Sequence, residues 1–232
     1  LNESITLQPP EPFTGTFQCW WNRQGDWVEE PNVRRAGESG VQRLSATSTP
    51  LYSKRQTGHL YRSLRHPLGR PTVLREQDAL DALERLGVRV PKIVFCSARK
   101  VAGQWQALLV TESLEGFVSL DEWYRSDAPQ RWGEAVQRQL LEELALTLSR
   151  LHRGRWQHGC CYPKHIFVKV EEVAGRPTVE IALIDLEKSR QRLRVASASR
   201  RDLDQLRRHC PEMSPTEWTL FKSAYDKALA AQ

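Results

Sequence analysis

The dominant period of the apolar positions changes near Glu112. Up to about residue 111 they come mostly in short, strand-sized runs, and beyond Glu112 they recur mostly every three to four residues. In the first part, 33–35, 41–47 and 50–56 alternate like strands, with a Gly-Glu-Ser-Gly turn expected at 37–40. Pro71 suits a first helical turn, Leu80, Leu83 and Leu86 share one face, and Gly87 and Pro91 stop the run. These signals predict a helix over 72–86. Two further apolar runs, 92–97 and 106–111, flank a polar segment with Gly103 and read as a hairpin, which extends the antiparallel sheet to about five strands.

In the second part, Ala135, Leu140, Leu141, Leu144, Leu148 and Leu151 line one face of a long helix expected over 132–152. Residues 166–170 and 179–184 read as a short strand pair, and 201–209 and 215–230 as closing helices. Residues 1–32 are rich in Pro, Gly, Trp and acidic residues without a sustained period. They read as a surface-packed leader anchored by Trp20, Trp21 and Trp27.

Composition narrows the function classes. The 232 residues, 40% hydrophobic and 27% charged, suit a globular protein of one large domain or two small lobes. No apolar run approaches the roughly 18 residues of a spanning helix, and the N-terminus lacks the basic and apolar regions of a secretory signal, so the cytoplasm is the expected compartment. Cys19, Cys96, Cys160, Cys161 and Cys210 show no C-x-x-C spacing, which indicates neither a disulfide framework nor a zinc site.

The 34 basic and 28 acidic residues leave +6, and the segment 188–208 alone accounts for that excess, with eight Lys or Arg against Asp202 and Asp204. Two readings fit it: a binder of phosphate-bearing partners, or a solvated helix face. Neither a groove-reading motif nor interleaved aromatics accompanies the charge, which argues against nucleic acid.

The segment 158–168, His-Gly-Cys-Cys-Tyr-Pro-Lys-His-Ile-Phe-Val, follows the long helix, and Leu183-Ile184-Asp185-Leu186-Glu187 ends the strand pair. Together they resemble the catalytic loop and metal-binding triplet of kinase-like phosphotransferases, with His158, Pro163 and Asp185 in matching places. The stretches 34–41, 51–55, 69–72 with Arg75-Glu76, and 185–190 are similar to bacterial lipopolysaccharide core kinases of the Kdo/WaaP type. The resemblance runs from about Trp21 to Lys222.

It implies an α+β, protein-kinase-like, two-lobed fold. A leader of 1–20 precedes an N-lobe of 21–112, with its small antiparallel sheet and one helix, and a mainly helical C-lobe of 113–232. ATP and Mg2+ are the implied cofactors, expected in the cleft between lobes. By the same resemblance Gly37 and Gly40 form a flexible turn over the phosphates, Lys54 contacts the α and β phosphates, and Glu76 orients that lysine. Glu112 falls at the interlobe hinge that binds adenine through its backbone, and Asp185 holds the magnesium. His165 stands at a metal-ligand position usually held by Asn, where the lipopolysaccharide kinases also carry His.

Cys160 departs from the pattern, because it replaces the Asp that orients and deprotonates the acceptor hydroxyl. Lys188, Arg190, Arg192 and Arg194 lie where the acceptor is met. The implied activity is transfer of the ATP γ-phosphate to a sugar hydroxyl, a heptose of core lipopolysaccharide, with peripheral contact at the cytosolic face of the inner membrane. The alternative is a nucleotide-binding pseudokinase that acts as a stress-linked regulator or scaffold.

Overall fold

The computed structural model describes residues 15–34, 37–45 and 49–231. They form two compact units. One holds the described residues up to Leu74 together with Ile93–Ser113, and the other holds Arg75–Lys92 and the described residues from Leu114 onward.

The first unit opens with α1 (Phe17–Asn22), whose N-cap Thr16 side chain accepts from the Cys19 amide. Strands β1 (Asp26–Arg34), β2 (Gly37–Leu44) and β3 (Leu51–Thr57) follow, then a separate hairpin of β4 (Leu60–Ser63) and β5 (His66–Pro71). Helix α2 (Thr72–Arg85) leads out of this unit, and β6 (Ile93–Val101) and β7 (Gln104–Glu112) return to it. The five-stranded sheet has the order β1-β2-β3-β7-β6, antiparallel throughout.

Its core is built from Trp20, Leu44, Leu51, Leu108 and Val110, with Phe17, Trp21, Val94 and Phe95 packed at the margin. Trp20 is fully buried and stacks on Phe95 with ring centroids 5.8 Å apart. Of the expected leader anchors, Trp20 is therefore a core residue. Trp21 lies at the core margin, and Trp27 sits on β1, 40% exposed. Residues 1–14 of that leader lie outside the described residues.

One expectation needs correction. Gly37 and Gly40 are not in a turn but in strand β2, paired with Arg34 and Arg55. A Cβ on Gly37 would meet the Gly58 backbone at 2.7 Å, and one on Gly40 the Trp27 ring at 2.7 Å. Close approach inside the sheet, not a turn, demands glycine there. The connection between β1 and β2 falls at 35–36, outside the described residues, as do 46–48 at the end of the strand expected over 41–47. The β4–β5 hairpin has no counterpart in the pattern reading, because its residues bury no alternating face.

In the second unit, β8 (Val118–Ser119) and α3 (Leu120–Arg125) lead to α4 (Ala128–Arg153), which is broken at Gly133 by a φ of 76°. The periodic apolar face follows that break, which is why the pattern begins near 132. Next come β9 (Trp156–Gln157), β10 (Ile166–Val173), β11 (Arg176–Leu183) and β12 (Arg190–Gln191), then α5 (Val195–His209) and α6 (Pro215–Ala230). Helix α6 starts with a full capping box between Ser214 and Glu217. Helix α5 begins six residues before the expected 201, since its first turns carry mostly small and polar residues without an apolar period.

Replacing Trp20 by Ala removes the largest side chain of the first unit's core. Trp20→Ala is expected to destabilise that unit by about 3–5 kcal/mol, read as a lower urea midpoint with the m-value retained.

Candidate active site

The motif segment after α4 crosses the interior of the second unit as an irregular loop, so its backbone groups need partners other than a sheet. Asp202, fully buried on α5, supplies them. Its Oδ2 accepts from the His158 amide at 2.6 Å and its Oδ1 from the Gly159 amide at 2.9 Å. The same carboxylate meets His152 Nε2 at 3.2 Å, and the other ring nitrogen of His152 lies 2.8 Å from the Tyr225 hydroxyl. Gln205, one turn along α5, accepts from the Cys161 amide, and the Ser189 hydroxyl donates to the His158 carbonyl. Gly159 has a φ of 81°, and a Cβ there would lie 2.7 Å from the Lys188 carbonyl oxygen, so this position requires glycine.

His158 is itself fully buried. The Cys160 amide donates to its Nδ1, which leaves the proton on Nε2, where no hydrogen-bond partner is found among the described residues. Burial lowers its pKa to about 4, so the ring is neutral at physiological pH.

His165 follows a short 3-10 turn, Pro163–His165. Its Nδ1 lies 2.9 Å from the Cys160 carbonyl oxygen, which only accepts, so Nδ1 carries the hydrogen. The remaining nitrogen, Nε2, is 3.5 Å from Asp185 Oδ2. Asp185 stands at the end of β11 in the left-handed region, with φ and ψ both 56°, and the Ile184 amide donates to the His165 carbonyl at 3.0 Å. His165 Nε2 and Asp185 Oδ2 thus face one another at the end of the loop.

Such a donor set fits magnesium, which is commonly held by one or two carboxylates together with substrate phosphates. Among the described residues no group of three or more His, Cys, Asp or Glu forms a dedicated protein cage. Asp185 would provide the hard oxygen ligand, and His165 would support it.

Cys160 is buried, 4% exposed, and burial together with the nearby Asp185 charge pushes its thiol up, against the opposing pull of Lys188. It is therefore a neutral thiol at pH 7 and supplies no carboxylate-like base. Cys161 is fully buried, with its thiol raised well above the ordinary range, as suits a core residue.

After Asp185 the chain makes a second 3-10 turn and then β12, which pairs with β9. Arg75, from the second turn of α2, donates its Nε to the Glu187 carbonyl at 2.6 Å, and Arg192 donates its Nε to Gln157 Oε1 at 2.6 Å. Partial burial, with Arg192, Arg201 and Arg75 as like-charged neighbours, pulls the Arg190 guanidinium below its usual value. Only part of the expected basic run therefore gathers here. Arg190 and Arg192 join Arg75 and Arg201, Lys188 stands by Cys160, and Arg194 is the exposed N-cap of α5.

His158, Cys160, His165, Asp185 and Lys188 thus come together within the second unit, where Glu76 also lies, buried on α2. Lys54, half-buried on β3 opposite Leu109, belongs to the first unit, as do Gly37, Gly40 and Glu112 at the end of β7. Asp202 was not singled out by motif reading. Its signal was an Asp on the same helical face as Ala198, Leu203 and Leu206, inside a segment otherwise notable for its positive charge.

Asp202→Asn places an amide nitrogen against a backbone N–H that now finds a carboxylate oxygen. It is expected to cost about 1–3 kcal/mol in chemical denaturation and to speed hydrogen exchange at the His158 and Gly159 amides. Unchanged exchange at those two amides would remove Asp202 from this role.

The model of the lipopolysaccharide kinase (Kdo/WaaP) family matches residues 18–225. Protein InaA of Escherichia coli (strain K12) is 46% identical over 209 residues, which cover 90% of this chain and 94% of InaA. Among solved structures, WaaP in complex with acyl carrier protein superposes with a TM-score of 0.69 at 21% identity, over 91% of this chain and 82% of that one. The Rio2 kinase from Chaetomium thermophilum gives 0.50 at 14% identity, over 87% of this chain and 62% of that one. These structures confirm the kinase-like fold expected from the motifs. With the family model spanning both units and InaA similar along nearly its whole length, the chain belongs to the lipopolysaccharide kinase (Kdo/WaaP) family.

Proposed function

We propose that this protein is an ATP-dependent phosphotransferase that moves the γ-phosphate to a sugar hydroxyl of a lipopolysaccharide-type acceptor, a heptose of the core, at the cytosolic face of the inner membrane. The observation that carries this reading is the His165–Asp185 pair, a ring nitrogen and a carboxylate oxygen 3.5 Å apart on a loop end fixed from both sides. Asp185 would hold Mg2+, which would supply positive charge to neutralise the phosphates. Lys54 would meet the α and β phosphates, and the Glu112 backbone would meet adenine. Gly37 and Gly40 would support the phosphate-covering segment as strand residues of β2.

In the transfer the acceptor oxygen bonds to the γ-phosphorus and the bond to the β–γ bridging oxygen breaks, releasing ADP. With a neutral thiol at Cys160, the hydroxyl proton leaves to solvent. Rate enhancement then rests on positioning and electrostatics. The cluster of Arg75, Arg190, Arg192 and Arg201 suits an acceptor that already carries phosphate or carboxylate groups.

The second reading, a nucleotide-binding pseudokinase, is favoured by Cys160 itself. Loss of the general base costs roughly 10²–10⁴ in rate.

The deciding assay is magnesium-dependent transfer of labelled γ-phosphate from ATP to heptose-containing core lipopolysaccharide. Asp185→Ala is expected to lower transfer by at least about 100-fold. Absence of label with the unmodified protein, beside intact ATP binding, would establish the pseudokinase. Cys160→Asp is expected to raise transfer by up to about 100-fold, measured as initial rate at saturating ATP. Lys54→Ala is expected to weaken nucleotide affinity by about tenfold or more in a fluorescent-nucleotide titration, and an unchanged affinity would displace Lys54 from the phosphates.

A further inference from the structure

The β4–β5 hairpin takes no part in the site above. Its base is tied to the first unit's sheet. The Thr72 hydroxyl donates to Gln56 Oε1 at 2.8 Å, the Thr72 amide to the His59 carbonyl at 3.2 Å, and the Gly58 amide to the Trp105 carbonyl at 2.7 Å. The hairpin is also braced within itself. Arg70 donates to the Tyr61 hydroxyl, the Tyr61 ring meets His66 edge-on at 6.0 Å, and the His66 amide donates to the Ser63 hydroxyl. Gly69, with a φ of 94°, lets the backbone pass close to Leu60.

Despite this bracing, Leu64 and Leu68 at the far end are 104% and 91% exposed. A single exposed leucine is ordinary. Two fully exposed leucines four positions apart, on a braced protrusion, are not absorbed by any packing in the unit. They alternate with exposed Arg62 and Arg65. The sequence explains the local field, since no Asp or Glu occurs from Ser39 to Arg75, while Arg43, Lys54, Arg55, Arg62, Arg65, Arg70 and Arg75 all do.

We propose that the β4–β5 hairpin is a membrane-docking element, with Leu64 and Leu68 entering the boundary of an anionic bilayer while Arg62 and Arg65 pair with lipid phosphates. The chemistry selects this occupant. Apolar side chains on a convex tip gain by entering acyl chains without a complementary groove, and basic residues near an anionic leaflet are attracted by its surface potential. Free phosphate satisfies the arginines but not the leucines. Among the described residues no helix is long and apolar enough to cross a membrane, so the contact is interfacial. The element stands apart from phosphotransfer, as neither leucine nor either arginine is assigned to nucleotide, metal or acceptor.

The test is co-sedimentation of the full chain with vesicles of phosphatidylcholine alone and of phosphatidylcholine mixed with phosphatidylglycerol, at low and high salt. The unmodified protein is expected to bind the mixed vesicles, more weakly at high salt, and to bind neutral vesicles poorly. Leu64→Ser/Leu68→Ser is expected to lower partitioning by about tenfold or more. Arg62→Gln/Arg65→Gln is expected to lower it comparably and to flatten the salt dependence. All four residues are exposed, so urea midpoints should be unchanged. Val173→Ser, an exposed apolar residue beside Glu171 and Glu172, should bind like the parent, and so should Asp185→Ala, which separates docking from catalysis.

Failure of the unmodified protein to bind mixed vesicles, or binding by the double leucine variant equal to the parent's, would overturn the proposal. It would equally be overturned if vesicle binding were absent while an acidic protein retained the parent and not the double leucine variant. That outcome would assign the tip to a protein partner.

Discussion

A single buried carboxylate organises the second unit. Asp202 accepts from two successive loop amides and from a buried histidine, and each bond meets a group that would otherwise lack a partner in an apolar interior. The loop from His158 onward has no sheet to satisfy it, so its shape depends on this side chain arriving from α5. Once the His158 and Gly159 amides are fixed, the Cys160 carbonyl is fixed as well. That carbonyl in turn orients His165, whose Nε2 is thereby aimed at Asp185. The geometry at Asp185 is thus inherited through His158, Gly159, Cys160 and His165 from a carboxylate on a separate helix.

The same chain of contacts explains why the unusual residues of the motif are accommodated. Cys160 contributes its backbone carbonyl to the scaffold, and its side chain, neutral in a buried place, leaves that scaffold undisturbed. His165 turns one ring nitrogen toward Asp185, because its other nitrogen is committed to the Cys160 carbonyl. A change of side-chain chemistry at two motif positions leaves the backbone path intact, and the fold accordingly matches kinase-like structures at low sequence identity.

In the first unit the constraint is close packing. Trp20 closes one face of the sheet, and glycines at 37 and 40 admit the Gly58 backbone and the Trp27 ring where a Cβ would collide. The hairpin at Leu60–Pro71 departs from this economy. It is braced by polar and aromatic contacts yet leaves two leucines in water, a cost of about 1.5–3 kcal/mol for each relative to burial that an interfacial environment would remove.

The order of elements was legible in the sequence because it follows from local periodicity. The strand runs, the apolar face of α4 and the Pro and Gly stops of α2 each encode their own backbone, and His158, Pro163 and Asp185 sit at spacings that name the motif. What the sequence could not show were effects of neighbours distant along the chain. Gly37 and Gly40 looked like a turn until Gly58 and Trp27 were brought beside them. Asp202 looked like a minor offset to a basic run until α5 turned it inward, 44 residues from the amide it holds. Local pattern fixes which face of a segment is apolar, whereas the partners of a buried polar group are chosen only when separate elements pack, and here that packing decided the site.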